Sequence, residues 1–324
     1  MHAIRIHRHG GPEVLQLESA QLPPPGAGEV LVRHEAVGVN LIDTYHRAGV
    51  YPLPLPSGLG MEAAGVVEAV GPGVTTVQPG ARVAYVANTP GSYATHRTVR
   101  ADRLLELPHG LEAAVAAAAL LKGMTVEFLV QRCSLVQPGQ WAVVHAAAGG
   151  VGQLLCQWLL EHGVHVLAVV GSNERVATVR SLGTEHVLVD RGTEALGQFV
   201  RATTHGAMAD VVFDSVGKAT LRASMQCLRR RGLLVSYGNA SGVPEPVDVL
   251  ELSRNGSLFL TRPTLFDYVA SREELQASAA AVFARLQDGR LRVRVHAELP
   301  LHEAARAHEL LASRSADGSL VLRV

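Results

Sequence analysis

Apolar and polar positions follow two different rhythms along this chain. Up to about residue 118 the apolar residues come in short runs such as EVLVRHEAVGV, AAGVVEAVG and ARVAYV, separated by PPPG, PSG, GPG and QPG. Short Val- and Ala-rich runs between Pro/Gly turns predict a barrel or sandwich of strands. The rhythm changes near Ala113, where AAVAAAALLKGMTVEFLV strings helix formers together with no breaker before Gly123. From Trp141 onward, strands alternate with helices. WAVVHAA, HVLAVVG, HVLVD, DVVFDSVG and GLLVSYG read as strands, and residues 151–162, 174–182, 193–204 and 219–227 as the helices between them. That alternation predicts βαβ units and a parallel sheet with helices on both faces. SLFLT extends the sheet. Beyond Arg262 the pattern departs again. Ser271 followed by Glu274 predicts a capping box opening a long helix that ends near Gly289. A helix over 303–313 and the strand SLVLRV close the chain. The fold class is α/β, with residues 1–118 and 265–324 in one domain and 119–264 in the other.

Composition narrows the function. A chain of 324 residues suits two domains. A net charge of zero, with 18% charged residues, argues against a nucleic-acid partner. Lysine occurs only at Lys122 and Lys218, arginine carrying the rest of the positive charge. Cys133, Cys156 and Cys227 are far apart in apolar surroundings, which excludes a disulfide framework and predicts buried thiols. The N-terminal MHAIRIHRHGG has no apolar run and is no secretory signal. The richest apolar stretch, residues 111–121, falls short of the roughly 20 residues a membrane span needs, so a cytoplasmic location is expected.

The chemistry centres on VVHAAAGGVGQLLCQWL. A strand ending at Ala147 runs into a glycine cluster that opens a helix. Glycine lets main-chain N–H groups approach a pyrophosphate, and the helix N-terminus adds about half a positive charge. The turn is the first of a βα series, the context that a dinucleotide fingerprint requires. Ala148, Gly149, Gly150, Val151 and Gly152 are therefore candidate cofactor contacts. The second strand ends in VVGSNER, where an NAD-binding chain would place an acid about 20 positions beyond the turn. Gly171 leaves room for a 2′-phosphate, Ser172 can donate to it and Arg175 can pair with it, which favours NADPH. A solvated arginine on a helix face is the other reading of Arg175.

The phrases HGGPEVLQL, AVGVNLIDTYHRAGVYPLPLPSGLGMEAAGVV, LLKGMTV, HAAAGGVG, VVFDSVG, RRRGLLVSYGNASG and LFLTRP resemble the quinone oxidoreductase (zeta-crystallin) branch of the medium-chain dehydrogenases, over nearly the whole chain. The resemblance implies a GroES-like, partly open β-barrel from the two chain ends, a Rossmann domain between them, and a homodimer through Rossmann sheet edges. Zinc members of the superfamily carry Cys and GHE where this chain has Asn40 and Gly60-Met61-Glu62, and Asn and Met do not replace thiolate and imidazole ligands. The histidines show no ligand spacing and read as surface or packing residues. Carried over by position, Asn40, Asp43 and Tyr45 would lie beside the nicotinamide and its ribose, with Thr125 against the nicotinamide. Ser215 and Val216 would border the adenosine. Tyr237, Gly238 and Ser241 would line the cleft with Thr261, Arg262 and Pro263, and Arg314 would reach the cofactor from the other domain. Asp190 stands where relatives often have a tyrosine, and its carboxylate would repel a 2′-phosphate unless paired with Arg175 or Arg191.

Without zinc, negative charge growing on a quinone or enone oxygen needs a phenol, an ammonium or a water. Tyr45, Tyr51 and Lys122 are the candidates, and a pair of tyrosines suits a flat substrate. The expected activity is NADPH:quinone reduction. The alternatives are reduction of α,β-unsaturated carbonyls and a non-catalytic NADPH- or RNA-binding role. The one basic run, Arg229-Arg230-Arg231, is read as a helix cap.

Overall fold

The computed structural model describes residues 1–190, 192–313 and 316–324. In chain order the first half holds β1 (His2–Ile6), β2 (Gln16–Ser19), β3 (Glu29–Val39), α1 (Leu41–Ala48), β4 (Ser57–Gly58), β5 (Glu62–Val70), β6 (Arg82–Val86), β7 (His96–Arg100), β8 (Leu105–Glu106) and α2 (Ala113–Phe128). Then come β9 (Trp141–Val144), α3 (Gly150–Glu161), β10 (His165–Val170), α4 (Val176–Arg180), β11 (His186–Val189), α5 (Thr193–Thr203), β12 (Ala209–Asp214), α6 (Leu221–Gln226) and β13 (Leu228–Ser236). The chain ends with α7 (Val249–Arg254), β14 (Phe259–Thr261), α8 (Leu265–Tyr268), α9 (Arg272–Gln287), β15 (Val295–Pro300), α10 (Ala304–Ala312) and β16 (Ser319–Arg323). Two compact units result: Met1–Lys122 with Val269–Gln287 and Val293–Val324, and Gly123–Tyr268 with Asp288–Arg292.

The first unit is a GroES-like, partly open barrel. Its main sheet runs β15-β16-β3-β5-β6-β8, with β7 also on β3. The two ends of the chain share this sheet, because β16 pairs antiparallel with β3, Leu320 opposite Val39. Along β3, Val30, Val32 and His34 point inward, and from Ala36 to Val39 every residue is buried. The core gathers Val30, Val32, Val37 and Val39 with Tyr85, Tyr93, Ala304, Leu320 and Leu322. In α9 the anticipated cap forms: the Ser271 N–H donates to the Glu274 carboxylate at 3.1 Å, and the Glu274 N–H to Ser271 Oγ at 3.1 Å.

The second unit is a parallel Rossmann sheet ordered β11-β10-β9-β12-β13-β14. Its first strand, β9, lies between the second and the fourth, so strand order reverses beside it. In such sheets ligands bind beyond the carboxyl ends of the strands at this reversal.

Four local readings need correction. Gly123 does not break α2. Helical backbone continues through a π-helical turn, Leu129–Ser134, giving 22 residues from Ala113 with mean hydropathy 1.7, long and apolar enough to cross a membrane. Its most apolar window is 83% buried inside the protein, which accounts for its composition without a bilayer. Arg229-Arg230-Arg231 caps no helix; it lies in β13, where Arg229 Nε donates to Asp210 Oδ1 at 2.6 Å and Arg231 takes a φ of 58°. A register shift against β12 at this point hides the strand from an alternation count. The helix read over 174–182 shrinks to α4 after a 3-10 turn at Asn173–Arg175, since Val176, Thr178 and Val179 propagate a helix poorly. Strand β9 stops at Val144 rather than Ala147, because Ala146 turns to a φ of 49°.

Candidate functional site

In the second unit the turn after β9 is shaped by close approach. The left-handed residue is Ala146, not a glycine. The glycines supply space: a Cβ on Gly152 would collide with Ala146 O and stand 2.8 Å from Ala147 Cα, and one on Gly149 would stand 3.2 Å from Ala146 O. Gln153 Nε2 holds Ala148 O at 2.7 Å. Gly150, Val151 and Gly152 then open α3, and the N–H groups of a first turn have no intrahelical acceptor. The arrangement fits a pyrophosphate: aligned donors, a positive dipole end, and no side chain in the way.

A buried polar network underpins this turn. Asp214 Oδ1 accepts from the Val216 and Gly217 N–H groups at 2.8 and 3.0 Å, and Thr220 Oγ1 donates to the same carboxylate. Ser224 Oγ donates to Asp214 Oδ2 at 2.8 Å and lies 3.0 Å from Nε2 of His145, the residue just before the turn. Burial lowers the His145 pKa.

The other predicted cofactor contacts gather at the same carboxyl edge. Gly171, beyond β10, has no atom within 4 Å of where a Cβ would stand. Ser172 is half-buried, and its hydroxyl hydrogen-bonds the exposed Glu174 carboxylate, whose pKa it lowers. Arg175 ends the 3-10 turn that follows, half-buried. Asp190 acts as a turn residue, its carboxylate accepting from the Gly192 N–H at 2.9 Å. At the ends of β12 and β13, a Cβ on Gly238 would stand 2.8 Å from Ser215 Cα. The Tyr237 N–H donates to Asp214 O at 2.8 Å, and Ser241 Oγ donates to Val216 O at 2.8 Å. Thr261 ends β14, and Arg262 donates to Ser236 O at 2.9 Å just before Pro263. Thr125 lies half-buried on α2. Arg191 and Arg314 lie outside the described residues.

The first unit holds a cluster of a different kind. The Asp43 carboxylate reaches back to its own helix start, Oδ2 accepting from the Asn40 N–H at 2.8 Å. The Asn40 side chain donates instead to Glu62 Oε1 at 2.7 Å, and the Leu121 N–H donates to Oε2 at 2.8 Å. Lys122 Nζ lies 3.8 Å from Glu62 Oε1 and 3.5 Å from Val39 O. A Cβ on Gly38 would strike the Glu62 carboxylate, so β3 must present a glycine there. Tyr93 Oη donates to Asp43 Oδ2 at 3.0 Å and stands 3.0 Å from His308 Nε2, while Arg47 donates to His308 Nδ1 at 2.9 Å. Burial raises the Asp43 pKa to about 7, raises Glu62 against the pull of Lys122, and lowers Lys122 against the pull of Glu62. Burial, helped by Arg47, brings His308 down to about 3. Tyr45 and Tyr51 stand edge to face, ring centroids 5.4 Å apart and both half-buried.

Asn40, Asp43 and Lys122 thus fall in one cluster, with Tyr45 on the helix that carries Asp43. Its other members, Glu62, Tyr93, His308 and Arg47, went unread as functional residues. The signals were a glutamate opening an apolar strand and a histidine on the buried face of α10; the histidines at 34, 145 and 308 belong to buried polar networks rather than to the surface. Among the described residues no group of three His, Cys, Asp or Glu side chains could hold a metal ion.

Residues 26–109 match the model of the alcohol dehydrogenase GroES-like domain, and residues 150–284 that of zinc-binding dehydrogenases. The chain is 44% identical over 320 residues to a quinone oxidoreductase of Pseudomonas aeruginosa, covering 98% of each. It is 41% identical to a 2-haloacrylate reductase of a Burkholderia species, over 98% of this chain and 97% of that one. The crystal structure of Escherichia coli quinone oxidoreductase complexed with NADPH superposes with a TM-score of 0.97 at 40% identity, covering 100% of both chains.

Proposed function

The chain belongs to the quinone oxidoreductase (zeta-crystallin-like) family of zinc-independent medium-chain dehydrogenases, and from that membership we infer its activity and the part each residue plays. It is an enzyme, an NADPH-dependent quinone oxidoreductase that works without a zinc site. The observation that carries the reading is the amide-lined turn from Ala148 to Gly152, in a chain matching an NADPH-bound relative over its full length.

Bound NADPH supplies a hydride to the acceptor. The chain's own residues bind and orient. Ala148 to Gly152 form the pyrophosphate site, where the main-chain N–H groups of Gly150 to Gly152, in the first turn of α3, donate. Gly171 leaves space for the 2′-phosphate, and Arg175 gives it charge-assisted hydrogen bonds. Ser172 joins in when its hydroxyl turns from Glu174 to the phosphate. Ser215, Tyr237, Gly238, Ser241 and Thr261 to Pro263 line the nucleotide's path along the sheet edge. Asn40, Asp43, Tyr45 and Thr125 border the nicotinamide end. Tyr45 and Tyr51 offer ring edges and phenols to a flat acceptor, and Lys122 supplies the positive field that zinc supplies elsewhere.

The test is steady-state turnover of NADPH and NADH with a panel of quinones and 2-alkenals. Faster oxidation of NADPH than of NADH, with quinones preferred, supports the reading; no NADPH oxidation by any acceptor sinks it and leaves the non-catalytic one. The 2-haloacrylate reductase relative favours a second reading, reduction of α,β-unsaturated carbonyls on the same site, which turnover of alkenals above quinones would establish. The enzyme works in the cytoplasm as a homodimer. Among the described residues β14 is an edge strand of the Rossmann sheet, with Phe259 62% exposed and Val249 of the neighbouring α7 76% exposed, an apolar edge suited to a second copy.

A further inference from the structure

The Asp43 cluster contains a hydrogen-bond chain whose direction is fixed from one end. A guanidinium only donates, so Arg47 makes His308 Nδ1 an acceptor. Buried and neutral, His308 then carries its proton on Nε2 and donates to Tyr93 Oη. Tyr93 spends its one proton on Asp43 Oδ2. The Asn40 N–H donates to that same oxygen, so Oδ2 faces two donors and has no room for a proton of its own. Asp43 Oδ1 is buried and has no hydrogen-bond partner among the described residues.

Charge balance agrees. Among the described residues, two buried carboxyls on the Asp43 side of Tyr93 face one ammonium, Lys122, while Arg47 lies behind Tyr93 and His308 and is drawn to Glu13. Glu62 takes a donor on each oxygen and stands nearest to Lys122, so Glu62 is the ionised partner. A lone carboxylate oxygen buried without a donor is costly, whereas a protonated one is far less so.

We propose that Asp43 is a proton store, a neutral acid with its proton on Oδ1, and that Arg47, His308 and Tyr93 are the positioning residues that keep the proton there. The proposal rests on the quinone-reductase reading. Once a quinone has accepted a hydride with its two electrons it is a hydroquinone monoanion, one proton short of neutral product. The Oδ1–H bond breaks, an O–H bond forms on the hydroquinone, and the Asp43 carboxylate is reprotonated by water.

Asp43→Asn tests this, because the amide mimics the neutral acid: its oxygen accepts where Oδ2 does and its NH2 stands at Oδ1. In the ligand-free protein the raised pKa makes the contribution of neutral Asp43 to stability present at acid pH and lost as pH rises through about 7. The Tm of D43N should therefore gain on wild type as pH rises from about 3.8 to about 7, and the difference should level off above that. A carboxylic-acid carbonyl band should be present in the infrared spectrum of wild type and missing from D43N. Quinone turnover of D43N should fall about 100-fold. A Tm difference independent of pH, or full turnover in D43N, overturns the proposal. Should D43N not fold, Tyr93→Phe removes one donor from Oδ2 and should move the midpoint of the infrared band to higher pH. His308→Gln, which keeps an N–H toward Tyr93 and a carbonyl for Arg47, should leave it in place, and the opposite pattern overturns the chain. Wild type inactive toward every quinone would sink the enzymatic reading instead, with the infrared band still reporting on Asp43.

Discussion

The Rossmann unit offers its ligand main-chain N–H groups, glycines and small side chains, while the barrel unit packs Asp43, Glu62, Lys122, Tyr93 and His308 into one buried cluster with Asn40. Both arrangements handle charge. The first meets an external anion with fixed backbone dipoles, which need no titratable group and keep their character across pH. The second places its charges inside a core, where each shifts the others and the protonation state becomes part of the structure. The two sites therefore answer to different perturbations: space in one unit, charge and pH in the other.

The sharpest way to break this contrast is steric. Gly152→Val should drive a side chain into Ala146 O and Ala147, raise the Kd for NADPH more than about 100-fold and destabilise the fold by roughly 1–3 kcal/mol. Gly171→Ala, with open space at its Cβ, should leave stability unchanged. Fluorescence titration and thermal melts check both, and equal effects would remove the steric account of the turn.

Lys122→Met attacks the charged side. It leaves Glu62 without its ammonium and should cost about 3 kcal/mol of stability. Quinone turnover should fall about 100-fold with little change in the Kd for NADPH. Lost NADPH affinity with retained turnover would reverse the assignment of the two units.

pH gives the next effect. Burial holds His308 and His34 neutral in the fold, with pKa values of about 3 and about 4 against 6.5 when unfolded. Their contribution is present above pH 6.5 and is lost as pH falls toward those values. By about pH 5 each should have removed about 2 kcal/mol. Chemical denaturation across pH reads this, and His308→Gln should flatten the slope.

The smallest expected effect separates the coenzymes. Arg175→Ala should raise the KM for NADPH about 10-fold, or about 1.4 kcal/mol, and leave that for NADH nearly unchanged. Equal effects would return Arg175 to a solvated arginine on a helix face.

Much of the binding side was legible residue by residue. A strand, a glycine cluster and a helix in a βα series are local, and so are the motifs at the ends of β10, β12 and β13. Even there, which residue turns the chain was not: Ala146 takes the left-handed conformation and the glycines make room. The buried cluster of the barrel unit was legible only in part. Asn40, Asp43, Tyr45, Tyr51 and Lys122 stand in recognisable phrases, but Tyr93 and His308 are 215 positions apart and nothing local in either segment points to the other. The π-helical turn and the strand through Arg229–Arg231 were hidden for a related reason, since packing and pairing overrode the local pattern.

By itself, then, the sequence determined the layer architecture, the dinucleotide turn and the loss of zinc ligands at Asn40 and Met61, because periodicity, glycine spacing and ligand chemistry are properties of neighbouring residues. Only the tertiary structure decided which carboxyl holds a proton. Burial and hydrogen-bond direction depend on which distant segments meet, and at Asp43 those segments are α1, the stretch before β7, and α10.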